Sequence, residues 1–331
     1  MNANLLDVRN LNVSFHTDDG VFKAVDNVSL QAQRGEIVGL VGESGCGKSV
    51  TALSILKLIP SPPGKIDSGQ IYFKGHDLLK LDAAELRQIR GKAVSMIFQE
   101  PLSALSPLQR IGQQLVEALK IHNDISRKKA WALAAEWLEK VKIPGVNERM
   151  FAYPFQLSGG MQQRVMIAMA MMLDPDLIIA DEPTTALDVT IQAKIFSLIK
   201  EMRQEKTSIL LITHDMGVIW EMCDRVVVMY ASRIAEEASK DDIFIKPAHP
   251  YTRGLLNSIP KLAADSGRLE AIPGQVPSPF NYPSGCHFRD RCPHAFDRCV
   301  HEIPPLMDLG GSHRAACWIA DKLIHKGDTA G

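Results

Sequence analysis

The residues with the clearest chemical capacity lie between Gly42 and Ser49, which read G-E-S-G-C-G-K-S. They follow the apolar run Ile37–Val41 and precede a stretch of helical character, so a predicted strand leads through a glycine-rich loop into a predicted helix. In such a loop the backbone N–H groups face an anion, Lys48 reaches the terminal phosphates and the Ser49 hydroxyl can ligate Mg²⁺. The complete pattern therefore predicts a loop that binds a nucleoside triphosphate, in preference to a glycine-rich turn without a ligand.

Two consecutive acids end a second apolar run, L-I-I-A-D-E, over residues 177–182. A buried strand that points at the nucleotide would place Asp181 beside the Mg²⁺ shell. Glu182, one residue further on, could then polarise the attacking water as a general base. Alone, the pair could also be an acidic strand end that faces solvent, which is common in α/β folds. Downstream of a phosphate-binding loop, it favours hydrolysis of the bound nucleotide.

Short apolar runs alternate with amphipathic stretches over most of the chain. This alternation predicts buried strands of a largely parallel sheet with helices on both faces, an α/β fold. Prolines accumulate after about residue 245 and predict a loop-rich C-terminal segment. We therefore predict a nucleotide-binding domain over residues 1–245 and a C-terminal extension over residues 246–331. The apolar runs are 37–41, 94–98, 177–180, 209–213 and 226–229.

Composition excludes several classes of protein. The 331 residues allow about two domains, and 46% hydrophobic with 23% charged residues is the balance of a folded globular protein. A net charge of −1 gives no electrostatic reason for a nucleic-acid partner. The longest apolar run in the middle of the chain, Val165–Leu173, is far shorter than the ~20 residues of a membrane span, and the N-terminus lacks an apolar signal segment. We expect a cytosolic protein.

Further motifs carry a resemblance to a known family. Leu157–Arg164 read L-S-G-G-M-Q-Q-R and resemble the signature motif of ABC ATPases. Gln99, after V-S-M-I-F, resembles the Q-loop glutamine, Ala186–Asp188 resemble the D-loop, and His214 in L-I-T-H-D resembles the switch histidine. Because these segments follow the family's order, the chain is identified as a member of the ABC ATPases over most of residues 1–240.

The resemblance implies a three-part nucleotide-binding domain. Its parts are a P-loop NTPase core of the RecA-like type, an antiparallel β subdomain and an α-helical signature subdomain at about residues 100–172. The helical stretches I-G-Q-Q-L-V-E-A-L-K and K-K-A-W-A-L-A-A-E-W-L-E-K-V fall in that last range. In this family a groove of the helical subdomain receives a coupling helix of the membrane subunit.

The resemblance also implies a division of labour within the site. ATP is sandwiched between the P-loop of one subunit and the signature helix of another, whose N-terminus presents donors and a positive dipole end to the γ-phosphate. Glu182 is the implied base, His214 contacts the γ-phosphate, and Gln99 links Mg²⁺ or water to the face that meets the membrane subunits. The implied Mg²⁺ ligands are Ser49, Gln99 and Asp181. The implied nucleotide contacts are Phe15, Gly42, Glu43, Ser44, Gly45, Cys46, Gly47, Lys48, Ser49, Val50, Gln99, Ser158, Gly159, Gly160, Gln162, Asp181, Asp188 and His214.

An aromatic residue before the P-loop is expected to stack on the base. Phe15, in L-N-V-S-F, matches the family's position, and Phe22 is the rival because T-D-D-G-V-F resembles an insertion there. We favour Phe15. Stacking on a ring face tolerates any purine, so the preference for ATP comes from the resemblance alone.

The C-terminal segment narrows the resemblance. Residues 249–260 (H-P-Y-T-R-G-L-L-N-S-I-P) and 283–299 (P-S-G-C-H-F-R-D-R-C-P-H-A-F-D-R-C) are similar to the extension of ATP-binding subunits of dipeptide and oligopeptide importers. That group also contains nickel, glutathione, antimicrobial-peptide and oligosaccharide importers, so other substrates stay open. A soluble ABC ATPase acting on DNA or ribosomes is the other class considered. The single P-loop and the lack of sustained heptads disfavour it.

The resemblance implies a set of partners and a location. The partners are two transmembrane permease subunits, a second and different ATPase subunit that completes a nucleotide-sandwich heterodimer, and a substrate-binding protein. No nucleic acid is expected. The implied location is peripheral, on the cytoplasmic face of the inner membrane.

Four of the six cysteines, Cys286, Cys292, Cys299 and Cys317, have the spacing C-x5-C-x6-C-x17-C. In a cytosolic chain, clustered cysteines indicate metal or redox chemistry before disulfides. Four thiolates can hold a [4Fe–4S] cluster, as similar cysteines do in some relatives, whereas zinc sites usually have tight C-x2–4-C pairs that are missing here. We expect a [4Fe–4S] cluster, with zinc and free thiols as the alternatives, and all four sulfurs on one small cavity.

Overall fold

The computed structural model describes residues 4–184, 189–258 and 272–326. It divides into two compact units: the first comprises Met1–Ala32, Ile37–Leu79 and Thr213–Gly331, and the second comprises Gln33–Glu36 and Lys80–Ile212. In the part of the chain that is described, no helix combines the length and apolar character needed to cross a bilayer.

The strands and helices follow one another along both units. The strands are β1 (Leu6–Thr17), β2 (Gly20–Ala32), β3 (Ile37–Val41), β4 (Gly64–Phe73), β5 (His76–Asp77), β6 (Val94–Ile97), β7 (Leu177–Asp181), β8 (Ser208–Ile212), β9 (Arg225–Tyr230), β10 (Arg233–Ser239), β11 (Met307–Asp308) and β12 (Arg314–Ala315). The α-helices are α1 (Lys48–Ile55), α2 (Ala83–Ile89), α3 (Pro101–Ala104), α4 (Ile111–His122), α5 (Arg127–Lys140), α6 (Val146–Arg149), α7 (Gly159–Met171), α8 (Val189–Met202), α9 (Met216–Met222), α10 (Lys240–Ile245), α11 (Pro250–Asn257), α12 (Asp297–His301) and α13 (Ala320–Lys326). Short 3₁₀ turns cover Pro154–Gln156, Pro279–Asn281 and Arg289–Arg291.

The first unit contains an antiparallel sheet in the order β2-β1-β4-β5. Along β1 the buried apolar residues first occupy every second position, Leu6 and Val8, and then continue at Leu11 and Val13. The register shifts between Val8 and Leu11, where a bulge moves the apolar side chains from even to odd positions while they stay on the buried face.

A second group of strands in the first unit carries the phosphate loop and the C-terminal segment. β3 pairs in parallel with β9, and β9 pairs antiparallel with β10. β12 then pairs antiparallel with β10, with Glu236 opposite Ala315, and β11 pairs with β12. Every residue of β3 is buried, as its continuous apolar sequence predicts. Two short strands of the C-terminal segment thus extend this sheet.

The second unit is built on parallel strands and helices. β7 lies between β6 and β8 and is parallel to both. The long helices α4 and α5 fall in the range predicted to be helical, and all five predicted strands are present within a residue or two of the expected bounds. The predicted α/β fold is confirmed. The domain boundary at residue 245 stays a prediction of the composition.

A buried carboxylate fastens the C-terminal segment to β10. The Glu236 side chain is fully buried and accepts hydrogen bonds from the N–H groups of Ala248, at 2.6 Å, and His249, at 2.9 Å. His313 Nε2 lies 2.7 Å from the same carboxylate. His249 Nδ1 accepts from the Tyr251 N–H at 3.0 Å and thereby caps α11, and burial lowers the pKa of His249 to about 4. The start of α11 is therefore held by buried hydrogen bonds that do not compete with water.

Candidate active site

The phosphate loop runs from the end of β3 to the start of α1, in the first unit. Gly42 has a backbone φ of 152° and Gly47 one of 103°, values that residues with a Cβ rarely adopt. A Cβ on Gly42 would collide with the Met229 carbonyl oxygen, and one on Gly47 with the Ala24 carbonyl oxygen. The glycines are therefore required by both backbone angle and space, and the strand–loop–helix context predicted for this motif is present.

Lys48 is buried at the start of α1, with 5% of its surface exposed. Its ammonium group donates to the carbonyl oxygens of Gly42, at 2.8 Å, and Glu43, at 3.1 Å, so it lies across the loop. Phosphate oxygens can replace these acceptors when a nucleotide binds. Ser44 and Gly45 are exposed at the tip of the loop, and Ser49 and Val50 are half-buried in the first turn of the helix.

Cys46 has a packing role within this loop. Its side chain is fully buried, and burial raises the pKa of the thiol. Its sulfur lies 3.9 Å from the Lys48 ammonium. The buried thiol fills space under the loop. Only the backbone of Cys46 can therefore contact a phosphate.

The acidic strand end lies in the second unit. Asp181 is the last residue of β7 and is 5% exposed. Glu182 follows with φ of 44°, a left-handed backbone that costs a non-glycine residue about 1 kcal/mol or more. Its N–H donates to the Ile212 carbonyl at 2.9 Å, and its carboxylate accepts from the Gln99 side chain at 3.2 Å. The structure thus brings together two of the predicted catalytic residues.

The signature segment begins α7 in the same unit. Ser158 and Gly159 are exposed, and the Ser158 hydroxyl caps the helix by accepting from the Met161 N–H at 3.4 Å. Gln162 is buried and donates to the carbonyls of Pro154, at 2.8 Å, and Leu157, at 3.2 Å. Gln162, predicted as a nucleotide contact, therefore shapes the loop that precedes the helix.

Gln163 makes a contact near the acidic strand end that the motif analysis missed. It is 2% exposed, and its side-chain amide donates to the Pro183 carbonyl. This hydrogen bond joins the signature helix to the residue that follows Glu182. The only sequence signal is its place beside Gln162 in the motif, which does not reveal the partner.

His214 is exposed in the first unit, between β8 and α9 in the chain. Its neighbours are fixed: the Thr213 hydroxyl accepts from the Asp215 N–H at 3.1 Å, and the Asp215 carboxylate caps α9 through the N–H groups of Gly217 and Val218. The histidine is therefore presented on an ordered turn. The D-loop prediction, Ala186–Asp188, lies outside the described residues.

Both candidates for base stacking lie in one aromatic cluster of the first unit. Phe15 and Phe22 are opposite each other on β1 and β2, with ring centroids 5.6 Å apart and planes at 10°. Phe280 packs edge-on against Phe22 at 4.9 Å. Sequence reasoning missed Phe280, because nothing local in P-S-P-F-N indicates contact with a strand near the N-terminus.

The four C-terminal cysteines line a single small cavity together with Phe288, Phe296 and Trp318. Burial raises the pKa of the Cys286 thiol to about 11 and that of Cys317 to about 12, and it also raises the pKa of Cys292. All are free cysteines. Over residues 4–184, 189–258 and 272–326, no group of three or more His, Cys, Asp or Glu is placed so that it could hold a metal ion. The described arrangement does not support the predicted cluster.

Comparison with known proteins first defines the class. Residues 25–185 match the ABC transporter family, and the fold is that of solved ATP-binding cassettes. The dimeric structure of a post-hydrolysis state of the ATP-binding cassette MJ0796 bound to ADP and Pi matches with a TM-score of 0.64 and 28% identity, over 71% of this chain and 98% of that chain. The P-loop, the acidic strand end and the signature helix are those of an ABC ATPase.

The C-terminal segment and full-length relatives define the group. Residues 235–299 match the oligopeptide/dipeptide transporter C-terminal region. A probable peptide ABC transporter ATP-binding protein (y4tR) of Sinorhizobium fredii is 47% identical over 97% of this chain and 96% of its own length. The dipeptide transport ATP-binding protein DppD of Bacillus subtilis is 48% identical over 96% and 95%. The chain belongs to the ATP-binding subunits of ABC transporters, in the oligopeptide/dipeptide group, and is an ATPase.

Proposed function

We propose that this chain hydrolyses ATP to power the import of dipeptides or oligopeptides. The observation that carries the proposal is the C-terminal region at residues 235–299, which is the part of the chain specific to the peptide-importer group. Relatives named for peptide transport, at 47% and 48% identity over nearly the whole chain, support it.

The proposed chemistry assigns a role to each site residue. Lys48 and the N–H groups of the phosphate loop bind the β- and γ-phosphates. Glu182 accepts a proton from the attacking water as that water's oxygen bonds to the γ-phosphorus, while the bond from the γ-phosphorus to the β–γ bridging oxygen breaks and ADP leaves. Gln99 orients the Glu182 carboxylate through their hydrogen bond. His214 contacts the γ-phosphate. Ser49, Gln99 and Asp181 would hold Mg²⁺, which would neutralise charge that develops on the phosphate oxygens.

The remaining nucleotide contacts follow from the same assignment. Phe15 stacks on the adenine, and Asp188 belongs to the D-loop. The signature residues Ser158 and Gly159 are exposed at the start of α7, which supports a role toward ATP held by another subunit. One chain alone then lacks a complete site.

The proposed assembly contains two transmembrane permeases, a second ATPase subunit of different sequence and a substrate-binding protein. Its place is the cytoplasmic face of the inner membrane, where this chain is peripheral. Residues 1–245 form the motor, with its helical subdomain at about residues 100–172, and residues 246–331 form the extension.

A [4Fe–4S] cluster on Cys286, Cys292, Cys299 and Cys317 is part of the proposal. The proposal rests on the four-cysteine spacing and on the cavity that these free thiols share, although no metal-binding group is found among the described residues. Each thiolate of such a cluster would bind a different iron. When bound, the cluster would supply a one-electron redox centre and would crosslink the four cysteines.

Transport by the assembled system tests the substrate. The chain is co-expressed with its proposed permease and second ATPase subunits and reconstituted in proteoliposomes. Uptake of a labelled dipeptide and tripeptide is then measured with ATP on the side of this chain. Glu182→Gln in this chain is the control that keeps assembly and stops uptake. ATP-dependent uptake of nickel, glutathione or an oligosaccharide in place of peptides would overturn the peptide assignment. Failure of this chain to join membrane partners would favour a soluble ABC ATPase.

A further inference from the structure

Two groups of the C-terminal segment hold one residue of the phosphate loop. The Arg291 guanidinium binds the Glu43 carboxylate at two points, with Nη1–Oε2 at 2.6 Å and Nη2–Oε1 at 3.1 Å. The Glu43 N–H donates to the Tyr251 hydroxyl at 2.8 Å. The side chain and the backbone of Glu43 are thus both fixed by residues that follow it by more than two hundred positions.

Arg291 is itself held rigidly. The residue is 7% exposed, and its Nε donates to the Pro273 carbonyl at 2.9 Å. Its guanidinium lies over the rings of Tyr230, at 5.7 Å, and Phe288, at 6.0 Å. Because two aromatic rings pack near the guanidinium and its N–H groups bind the carboxylate, the side chain has little freedom to move away from Glu43.

The backbone that carries Arg291 belongs to the cysteine segment. Arg291 ends the 3₁₀ turn Arg289–Arg291 and directly precedes Cys292, whose N–H donates to the Arg289 carbonyl at 3.2 Å. On the other side, the Cys286 N–H donates to the Cys299 carbonyl at 2.8 Å. A change at the cysteine cavity therefore reaches Arg291 through a single short turn.

The ion pair has an electrostatic consequence for nucleotide binding. Glu43 places a carboxylate in the loop that receives the negative phosphates of ATP, and that side chain is 31% exposed. With Arg291 in place, the carboxylate is neutralised and accepts two charge-assisted hydrogen bonds. Without Arg291, an unpaired negative charge in the loop would repel the phosphates and lose its fixed position.

We propose that Arg291 is a positioning residue that neutralises Glu43 and holds the phosphate loop in its nucleotide-binding form. Through Arg291 the loop also responds to the state of the cysteine segment. The proposal rests on ATP binding by this chain; the transported substrate has no part in it, so a failure of the peptide assignment leaves it intact.

Binding of a fluorescent ATP analogue to the full chain tests the ion pair. We expect Arg291→Gln to weaken the analogue's affinity by about ten- to a hundredfold, the effect of losing a charged hydrogen-bond partner. The affinity of Arg291→Lys should lie between those of the parental chain and Arg291→Gln, because lysine keeps the positive charge but cannot bind the carboxylate at two points. Glu43→Gln combined with Arg291→Gln should restore much of the affinity, because the unpaired carboxylate is gone.

The matched control is Arg298→Gln, in the same segment. Arg298 pairs with Glu302 at 2.8 Å, with both side chains about half-exposed, and lies over the Trp318 ring. Its loss should leave the affinity unchanged, while urea unfolding verifies that every variant is folded. Parental affinity in Arg291→Gln, or no recovery in the double variant, would overturn the neutralising role.

Cys292→Ser tests the coupling to the cysteine segment. In the parental chain we expect it to weaken binding of the same analogue. In the Glu43→Gln, Arg291→Gln background we expect no further change, because the connection is already missing. An equal effect of Cys292→Ser in both backgrounds, or none in either, would contradict the coupling.

Discussion

Gln99 Nε2 donates a hydrogen bond to Glu182 Oε2 over 3.2 Å, which joins the segments that follow two neighbouring strands. β6 and β7 are parallel and paired, so their carboxyl ends share one edge of the sheet. The contact therefore follows from the topology of the second unit. It fixes the direction of the carboxylate that we assign as the base.

Replacement of Glu182 by Gln should abolish hydrolysis and preserve ATP binding. The amide keeps the size of the side chain and a hydrogen-bonding oxygen but cannot take a proton from water, so we expect the turnover rate to fall by about a hundredfold or more. Phosphate release in single turnover measures the chemical step, and size-exclusion chromatography with ATP detects the trapped closed dimer.

The matched control for this variant is Glu201→Gln in the same unit. Glu201 is exposed and pairs with Lys142 at 3.1 Å, so its replacement should leave turnover at the parental rate. If Glu182→Gln hydrolysed ATP as fast as the parental chain, the base would have to be another group.

Ser158→Arg should stop turnover and leave ATP binding to the isolated chain nearly intact. The bulky cation at the exposed start of α7 blocks only a site completed by a second subunit. Ser126→Arg is the control, because Ser126 caps α5 in the same manner, accepting from the Lys129 N–H at 3.3 Å, without a signature motif. Nucleotide titration of the single chain and steady-state turnover of the assembled protein separate the two effects. Equal loss of binding in the isolated chain would mean that the signature helix acts on its own subunit's nucleotide.

Local motifs predicted most of what is local in this fold. The phosphate loop, the acid pair and the signature helix were found because each is set by spacing within about eight residues, and the strands because their apolar runs are continuous. The pairing of Arg291 with Glu43 spans 248 residues and has no such pattern. Contacts of Gln163 and Phe280 were missed for the same reason: a partner chosen by tertiary packing leaves no mark on the neighbouring sequence.

Acid should destabilise the protein in part through His249. Burial lowers the pKa of this residue to about 4, against about 6.5 in an unfolded chain. Between these values the unfolded state binds the proton and the folded state does not. The stabilisation is therefore complete above about pH 6.5 and is lost as the pH falls toward 4, by up to about 3 kcal/mol.

His249→Asn isolates that contribution. Asn keeps an oxygen that can cap α11 but does not titrate. Glu236, which accepts from the His249 N–H, and His313, which contacts Glu236, remain in both proteins. Urea unfolding at several pH values should show a smaller loss of stability between pH 7 and pH 4.5 in the variant. Identical losses in the two proteins would show that His249 does not titrate in this range.

The cysteine segment provides the last prediction. Protein purified without oxygen should be brown and contain about four irons per chain, as a [4Fe–4S] cluster requires. Replacement of any one of Cys286, Cys292, Cys299 and Cys317 by Ser should lower the iron content, because each thiolate would hold a different iron of the proposed cluster. Cys223→Ser is the control: Cys223 is a buried free cysteine outside the cavity, so its loss should leave the iron unchanged.

We propose a metal centre because these residues can build only a small apolar interior. A segment rich in proline has few backbone hydrogen bonds and little apolar surface to bury, so a cluster that binds four thiolates supplies order that packing does not. Absorbance in the thiolate-to-iron charge-transfer region and iron analysis decide the matter. Colourless protein with one zinc per chain would replace the cluster by a zinc site, and metal-free protein would leave four thiols around the cavity. The assignment of Glu182 as the base does not depend on which of these outcomes is found.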